Sequence, residues 1–292
     1  MNEPDGWLRE RATWPHHERS RFVDAAGMRW HVQEAGAGPA MLLIHGTGAS
    51  SHSWRDLLPI LSRDYHVLAI DLPGHGFTDP LHGSRTSIAG MSEAVGSLLR
   101  VLGFDPLYGV GHSAGAVILC RLALDRRIAP CVLISINGAF LPLAGAAGVL
   151  FAPIARLLSS GSWLPRLIAS RAGNRASVAR VIAGTGSHLD SAGVDLYVRL
   201  VRNPSHVAGA LAMMSHWDLY AFERELPKIA APLALVVGEN DRTVPPNQAL
   251  TVQRRVARAT LHSLPGLGHL AHEEKPETAA REILKICAAS GC

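Results

Sequence analysis

Cysteine is scarce in this 292-residue chain: Cys120, Cys131, Cys287 and Cys292 are the only four, and no CxxC pair occurs among them. That spacing argues against a zinc ribbon or a thioredoxin-like redox motif, and the four read as reduced thiols in or near packed elements. Aromatic residues are also few, at 5%. The formal net charge is only +4, its basic residues are scattered, and no aromatic-interleaved basic stripe exists, so nucleic acid is not an expected partner. A GxxxxGK[ST] phosphate loop is missing. The opening "MNEPDGWLRERATWPHHERS" has charges of both signs and no apolar run, so it does not read as a secretory leader and the cytoplasm is the expected location. Repeats and low-complexity tracts are absent as well.

Apolar residues, by contrast, are plentiful. They make up 48% of the chain against 18% charged, which places it among globular proteins with order expected everywhere but the N-terminus. The length suits one α/β core with an insertion. One stretch, Ile128 to Ala155, carries no charge at all and is long enough to span a membrane. Asn137, Pro142, Pro153 and glycines 138, 145 and 148 interrupt it, so a buried strand running into an apolar surface is the expected structure. Peripheral membrane contact is the alternative.

Element order follows from periodicity. "RFVDA" and "MRWHVQEAG" face each other across Gly27 as a hairpin. Apolar runs at "PAMLLIHG", "YHVLAIDLPGHG", 106–111 and "CVLISI" then alternate with helical patterns at "SHSWRDLLPILSRD", 87–102 and Ala114 to Asp125. Strands apolar on both faces, alternating with helices, imply a parallel sheet covered on both sides. Between Asn137 and Ser215 the pattern is helical only, and strands resume with "APLALVVGE" and "TLHSLPG" before a last helix from about Glu274 to Ala288. The expected division is a core from 1–136 and 216–292 with a helical cap at 137–215.

Ligands of open α/β sheets sit beyond the carboxyl ends of the strands, so residues just after strands carry the chemistry. "GVGHSAGA" (109–116) places Ser113 in Gly-x-Ser-x-Gly between a strand and a helix, the pattern of a nucleophile elbow. An ordinary serine turn is the competing reading, because the motif alone is short. A serine hydroxyl needs a base, and the base needs an orienting partner. "VVGENDRTVP" supplies Asp241, with Glu239 as a rival acid, and "LPGLGHLAHEEKPE" supplies His269, with His272 as a rival base. No partner completes a metal set around these histidines. "IHGTGAS" turns at Gly46 and Gly48, offering the Thr47 N–H beside that of Ala114 for an oxyanion hole.

These motifs, with "DLPGHGFTD", resemble the α/β-hydrolase fold family over nearly the whole chain. The resemblance implies an eight-stranded, mostly parallel sheet, helices on both faces and a helical cap insertion. Two departures are mild: Thr78 stands where serine is usual, and Ala116 where a second glycine is common. Ser113 occupies the place that holds aspartate in dehalogenases and epoxide hydrolases. A closer resemblance, carried by "LIHGTGASSHSWRDL", "VIAGTGSHLDSAGVDLY" and "LVRNPSHVAGALAMMSHWDL", is to the magnesium-chelatase accessory proteins of bacteriochlorophyll biosynthesis.

The expected activity is cofactor-free serine hydrolysis of an ester or related acyl bond by Ser113, His269 and Asp241. The other expectation is a non-catalytic porphyrin carrier or chelatase partner on the same scaffold. The cap holds Arg156, Arg166, Arg171, Arg175, Arg180, Arg199 and Arg202 against Asp190 and Asp195 alone. That charge suits an apolar, anionic small molecule of tetrapyrrole character. Gly46, His112, Trp163, Met213, Met214 and Trp217 are its candidate contacts.

Overall fold

The computed structural model describes residues 5–142, 165, 169–170 and 173–291. Trp163 lies outside these residues, as do Arg156, Arg166 and Arg171. Eight strands form one sheet: β1 (Ser20–Ala25), β2 (Met28–Ala35), β3 (Ala40–Ile44), β4 (His66–Ile70), β5 (Tyr108–His112), β6 (Val132–Ile136), β7 (Leu233–Gly238) and β8 (Ala259–Leu264), in the order β1-β2-β4-β3-β5-β6-β7-β8. Pairing is antiparallel at β1–β2 and β2–β4 and parallel from β4 onward. The hairpin turns at Ala26 and Gly27, both left-handed.

Eleven described helices accompany the sheet. They are α1 (Asp5–Glu10), α2 (Leu58–Leu61), α3 (Ile88–Leu102), α4 (Ala114–Leu124), α5 (Arg175–Gly184), α6 (Ser191–Arg202), α7 (Pro204–Ser215), α8 (Leu219–Glu223), α9 (Asn247–Arg255), α10 (Ala271–Glu274) and α11 (Pro276–Ala289). The expected last helix is thus two helices. Lys275 leaves helical geometry because Pro276 follows it and starts the next helix. Similarly, "SHSWRDLLPILSRD" forms a 3-10 turn and the short α2, with Pro59 at the helix start.

The pleat sorts the core. Leu42, Ile44, Leu68 and Ile70 point to one face with α3 and α4, whereas Met41, Leu43, Val67 and Ala69 point to the other with α2 and α11. Each of these side chains, the small Ala69 aside, contributes about 2 kcal/mol by leaving water, which is why strands apolar on both faces stay central. Between β6 and β7 the described residues hold helices and no strand. Asn174, Asp190 and Asn203 each cap one of these helices through a side-chain oxygen.

Two expectations are corrected here. The N-terminal segment packs Trp7 and Trp14 against Leu196 and Leu200 of α6, so order begins at least at Asp5. A polar segment anchored by two tryptophans shows little periodicity, which hides such packing from a sequence reading. Cys131 is disulfide-bonded, while Cys120 and Cys287 are free and buried. No CxxC spacing marks Cys131 in the sequence, so its bond is not legible there. Among the described residues, no helix is long and apolar enough to cross a membrane.

Candidate active site

Ser113 stands between β5 and α4 with φ 50° and ψ −115°, a backbone state that costs a non-glycine residue energy and persists only where neighbours enforce it. The enforcement is visible. Its N–H donates to the Ile136 carbonyl at 3.0 Å, and its own carbonyl accepts from Ala116 and Ala139, each at 3.2 Å. Small residues make the turn possible: a Cβ on Gly111 would lie 2.5 Å from the Ala116 nitrogen, and one on Gly115 would lie 2.1 Å from the Ile44 carbonyl oxygen.

Asp241 follows β7 and His269 follows β8, and the two meet. His269 Nδ1 lies 2.7 Å from Asp241 Oδ2. Asp241 Oδ1 accepts the N–H groups of Thr243 at 2.7 Å and Val244 at 2.9 Å. A carboxylate so used can only accept, so Nδ1 carries the proton and Nε2 is left as the basic nitrogen. The loop that carries His269 lies beside the elbow: His112 donates its Nε2–H to the His269 carbonyl at 2.9 Å, and the two rings are 4.7 Å apart.

The two rivals point elsewhere. Glu239 is exposed and accepts from the Ser263 hydroxyl at 2.6 Å. His272 is fully buried against Trp54 and His112. Desolvation, helped by the Arg55 and His269 charges, pushes its pKa down to about 3.

The "HGTG" loop abuts the elbow, since a Cβ on Gly46 would sit 3.0 Å from Ser113 Cβ and 2.8 Å from His112 Nδ1. Among the described residues, neither the Thr47 nor the Ala114 N–H donates to a backbone carbonyl. For Ala114 this follows from its place in the first turn of α4, whose N–H groups have no intrahelical partner.

The candidate contact residues scatter more widely. Met213 is fully buried, its sulfur 3.6 Å from the Thr47 hydroxyl. Met214 and Trp217 are partly buried, and His112 lies beneath the elbow, bonded to the base's loop. Arg199 donates to the Thr13 carbonyl and Arg202 to that of Gly173. Both guanidinium groups are therefore engaged by the protein itself.

Three groups escape sequence reasoning. Asn137, left-handed at φ 48°, donates from Nδ2 to the Gly268 and His269 carbonyls at 2.9 and 2.8 Å and accepts the Gly238 N–H at 2.8 Å. Its only sequence signal is the Asn-Gly pair closing a strand. Asp71 binds the Ser51 and Phe77 N–H groups and His31. Burial opposes its ionisation, but the His31 charge and hydrogen bond, the His45 charge and the Ser51 N–H outweigh burial and hold its pKa well below the usual carboxylate range. Glu273 joins Tyr197 of α6 at 2.7 Å to Arg55 of the core at 2.6 Å.

Residues 39–276 match the family model described as the alpha/beta hydrolase fold. The chain is 37% identical over 264 residues to the magnesium-chelatase 30 kDa subunit of Rhodobacter capsulatus, a match covering 90% of this chain and 92% of that protein. Two solved structures share the fold. One is the epoxide hydrolase CorEH, with a TM-score of 0.77 at 21% identity, and the other is CarC, a serine hydrolase involved in carbazole degradation, with a TM-score of 0.75 at 22% identity. In both cases 92% of this chain and 98% of the other are covered. An eight-stranded, mostly parallel sheet, an elbow after its fifth strand and these matches establish that the chain belongs to the α/β-hydrolase fold family and is related to a magnesium-chelatase subunit.

Proposed function

We propose that this protein is a serine hydrolase of an ester or related acyl bond, and the observation that carries the reading is the buried Asp241–His269 pair beside the strained Ser113 turn. His269 Nε2 takes the proton of the Ser113 hydroxyl as Oγ attacks the acyl carbon. The Thr47 and Ala114 N–H groups hold the developing oxyanion, where each donor is worth about 3 to 4 kcal/mol of transition-state stabilisation. The protonated His269 then hands its proton to the leaving group. Water, activated by the same nitrogen, releases the acid and restores Ser113. No cofactor enters this cycle.

Residues 137–215 serve as the cap in this reading, with 1–136 and 216–292 as the core. Gly46, Met214 and Trp217 are the substrate contacts that best suit an apolar molecule, whereas Met213 and His112 support from behind. A carboxylated, tetrapyrrole-like substrate and contact with chelatase subunits are the pathway reading. They draw on the kinship to the Rhodobacter subunit. A cytoplasmic protein with peripheral membrane contact fits that reading.

The test is labelling by a fluorophosphonate probe. Wild type is expected to react and Ser113→Ala is not; an unlabelled wild type that also leaves short acyl esters intact removes the hydrolase reading. The same kinship supports a second function, that of a tetrapyrrole-binding partner of the chelatase. Titration with protoporphyrin and its magnesium form decides that one, and the lack of a saturable Soret change in either rejects it.

A further inference from the structure

The stretch "TGSH" (Thr185–His188) between α5 and α6 belongs to the helical insertion, yet its hydrogen bonds go to the two loops that carry the acid and the base. The Thr185 carbonyl accepts the Arg242 N–H at 3.1 Å and the His269 N–H at 3.4 Å. Ser187, fully buried, accepts the Leu270 N–H on its hydroxyl at 2.8 Å. The carboxylate of Glu274 gathers the N–H groups of Gly268 at 2.8 Å and His188 at 3.1 Å.

The packing leaves no slack. Gly186 is left-handed at φ +85°, a Cβ there would lie 2.0 Å from the Asn240 carbonyl oxygen, and a Cβ on Gly268 would lie 2.3 Å from the Gly186 carbonyl. Asn240 and Arg242 flank the acid, and Gly268 and Leu270 flank the base. One four-residue segment therefore touches the chain on both sides of both members of the pair.

We propose that Thr185–His188 is the positioning element of the site, setting the separation and rotation of Asp241 against His269 through Ser187 and Glu274. The physical reason is geometric. The two loops follow different strands; besides the side-chain bond, Asn240 donates its N–H to the Leu267 carbonyl at 2.8 Å and its Nδ2–H to the Gly266 carbonyl at 2.9 Å, and Asn137 bridges Gly238 to Gly268 and His269, but the Asn240 ties lie on the N-terminal side of both residues. A third segment bonded to both removes the remaining freedom, as precise catalytic geometry requires. In its activity readout the proposal rests on the serine-hydrolase reading, whereas the proton spectrum of His269 does not.

Ser187→Ala and Glu274→Gln, made in the full chain, test it, with the exposed Val181→Ser on α5 as control. Two readouts apply: the pH profile of fluorophosphonate labelling together with ester kcat and KM, and the low-field proton resonance of His269 Nδ1–H. Both variants are expected to lose roughly ten- to hundredfold in kcat and labelling rate, with KM little changed. They are also expected to show a displaced pH midpoint and a shifted or broadened low-field resonance; Val181→Ser matches wild type throughout. Folded variants with the wild-type resonance and pH profile overturn the proposal. Should Ser187→Ala not fold, Glu274→Gln decides alone. A wild type that the probe does not label defeats the hydrolase reading, and the resonance comparison still judges the positioning element.

Discussion

Asn137 does at the scale of a single residue what no periodicity announces. Its side chain ties the end of β6 to the Gly238 N–H at the end of β7 and to two carbonyls in the base's loop. Asparagine tolerates the left-handed backbone there better than other non-glycine residues. Asn137→Ala strands the buried Gly238 N–H and Gly268 carbonyl, at about 1 to 3 kcal/mol for each group left unpaired, while the His269 carbonyl keeps the His112 donor. We expect urea denaturation to show a loss of several kcal/mol together with reduced ester turnover; a loss under about 1 kcal/mol would mean that water replaces the amide. The positions of Ser113 and His269 just after strands, in contrast, were legible from glycine spacing and chain order. Asp241 was legible only as one of two acids, and its 2.7 Å contact with His269 separates it from Glu239.

At the scale of elements, the elbow depends on α4 approaching β3 without intervening side chains. Gly115 shows this most sharply, because its added Cβ would meet the carbonyl oxygens of Ile44 and His45 at 2.1 and 2.6 Å, which are backbone atoms without room to yield. Gly115→Ala is expected to cost about 1 to 3 kcal/mol or more by overpacking. It is also expected to abolish probe labelling, since the shift of α4 moves the Ala114 N–H; thermal unfolding and labelling of one sample check both. Sequence reading placed seven of the eight strands to within two residues, the central ones because they are apolar runs and the hairpin because it brackets a turn, whereas "YHVLAIDLPGHG" runs six residues past the end of β4 at Ile70. The "SHSW" segment and the last helix were read less well, since proline divides both patterns without breaking their hydrophobic spacing.

On the scale of the whole molecule, buried histidines make the fold acid-sensitive. His206 of α7 bridges the Gly76 N–H and the Gly48 carbonyl, so it joins the insertion to the loops beneath. Desolvation lowers its pKa to about 4 from 6.5. His272 shifts in the same direction, as do His45, His52, His75 and His112, each chiefly through desolvation. An unfolded chain takes up these protons near its ordinary pKa while the native fold resists. The stability from neutral His206 is therefore complete above about pH 6.5 and is lost as pH falls toward about 4. Urea midpoints are expected to drop over this range, and His206→Gln, which keeps a donor and an acceptor, is expected to drop less. Equal pH dependence in the two proteins would clear His206 of that role.

What the sequence determined by itself is the order of strands and helices, the doubly covered sheet, the glycine-flanked turn at Ser113 and the placement of Asp241 and His269 in loops after strands. All of these rest on local periodicity, glycine placement and chain order. Only the tertiary structure decided that Asp241 rather than Glu239 meets His269, that the pairing leaves His269 Nε2 unprotonated, and that Arg199 and Arg202 are engaged by backbone carbonyls and, for Arg199, by Glu10. It alone shows that the insertion grips the loops around Asp241 and His269. Apart from the Gly268–Glu274 contact, such hydrogen bonds join residues from 28 to 186 positions apart, and a hydrogen bond between distant backbones imposes almost no residue type on either partner.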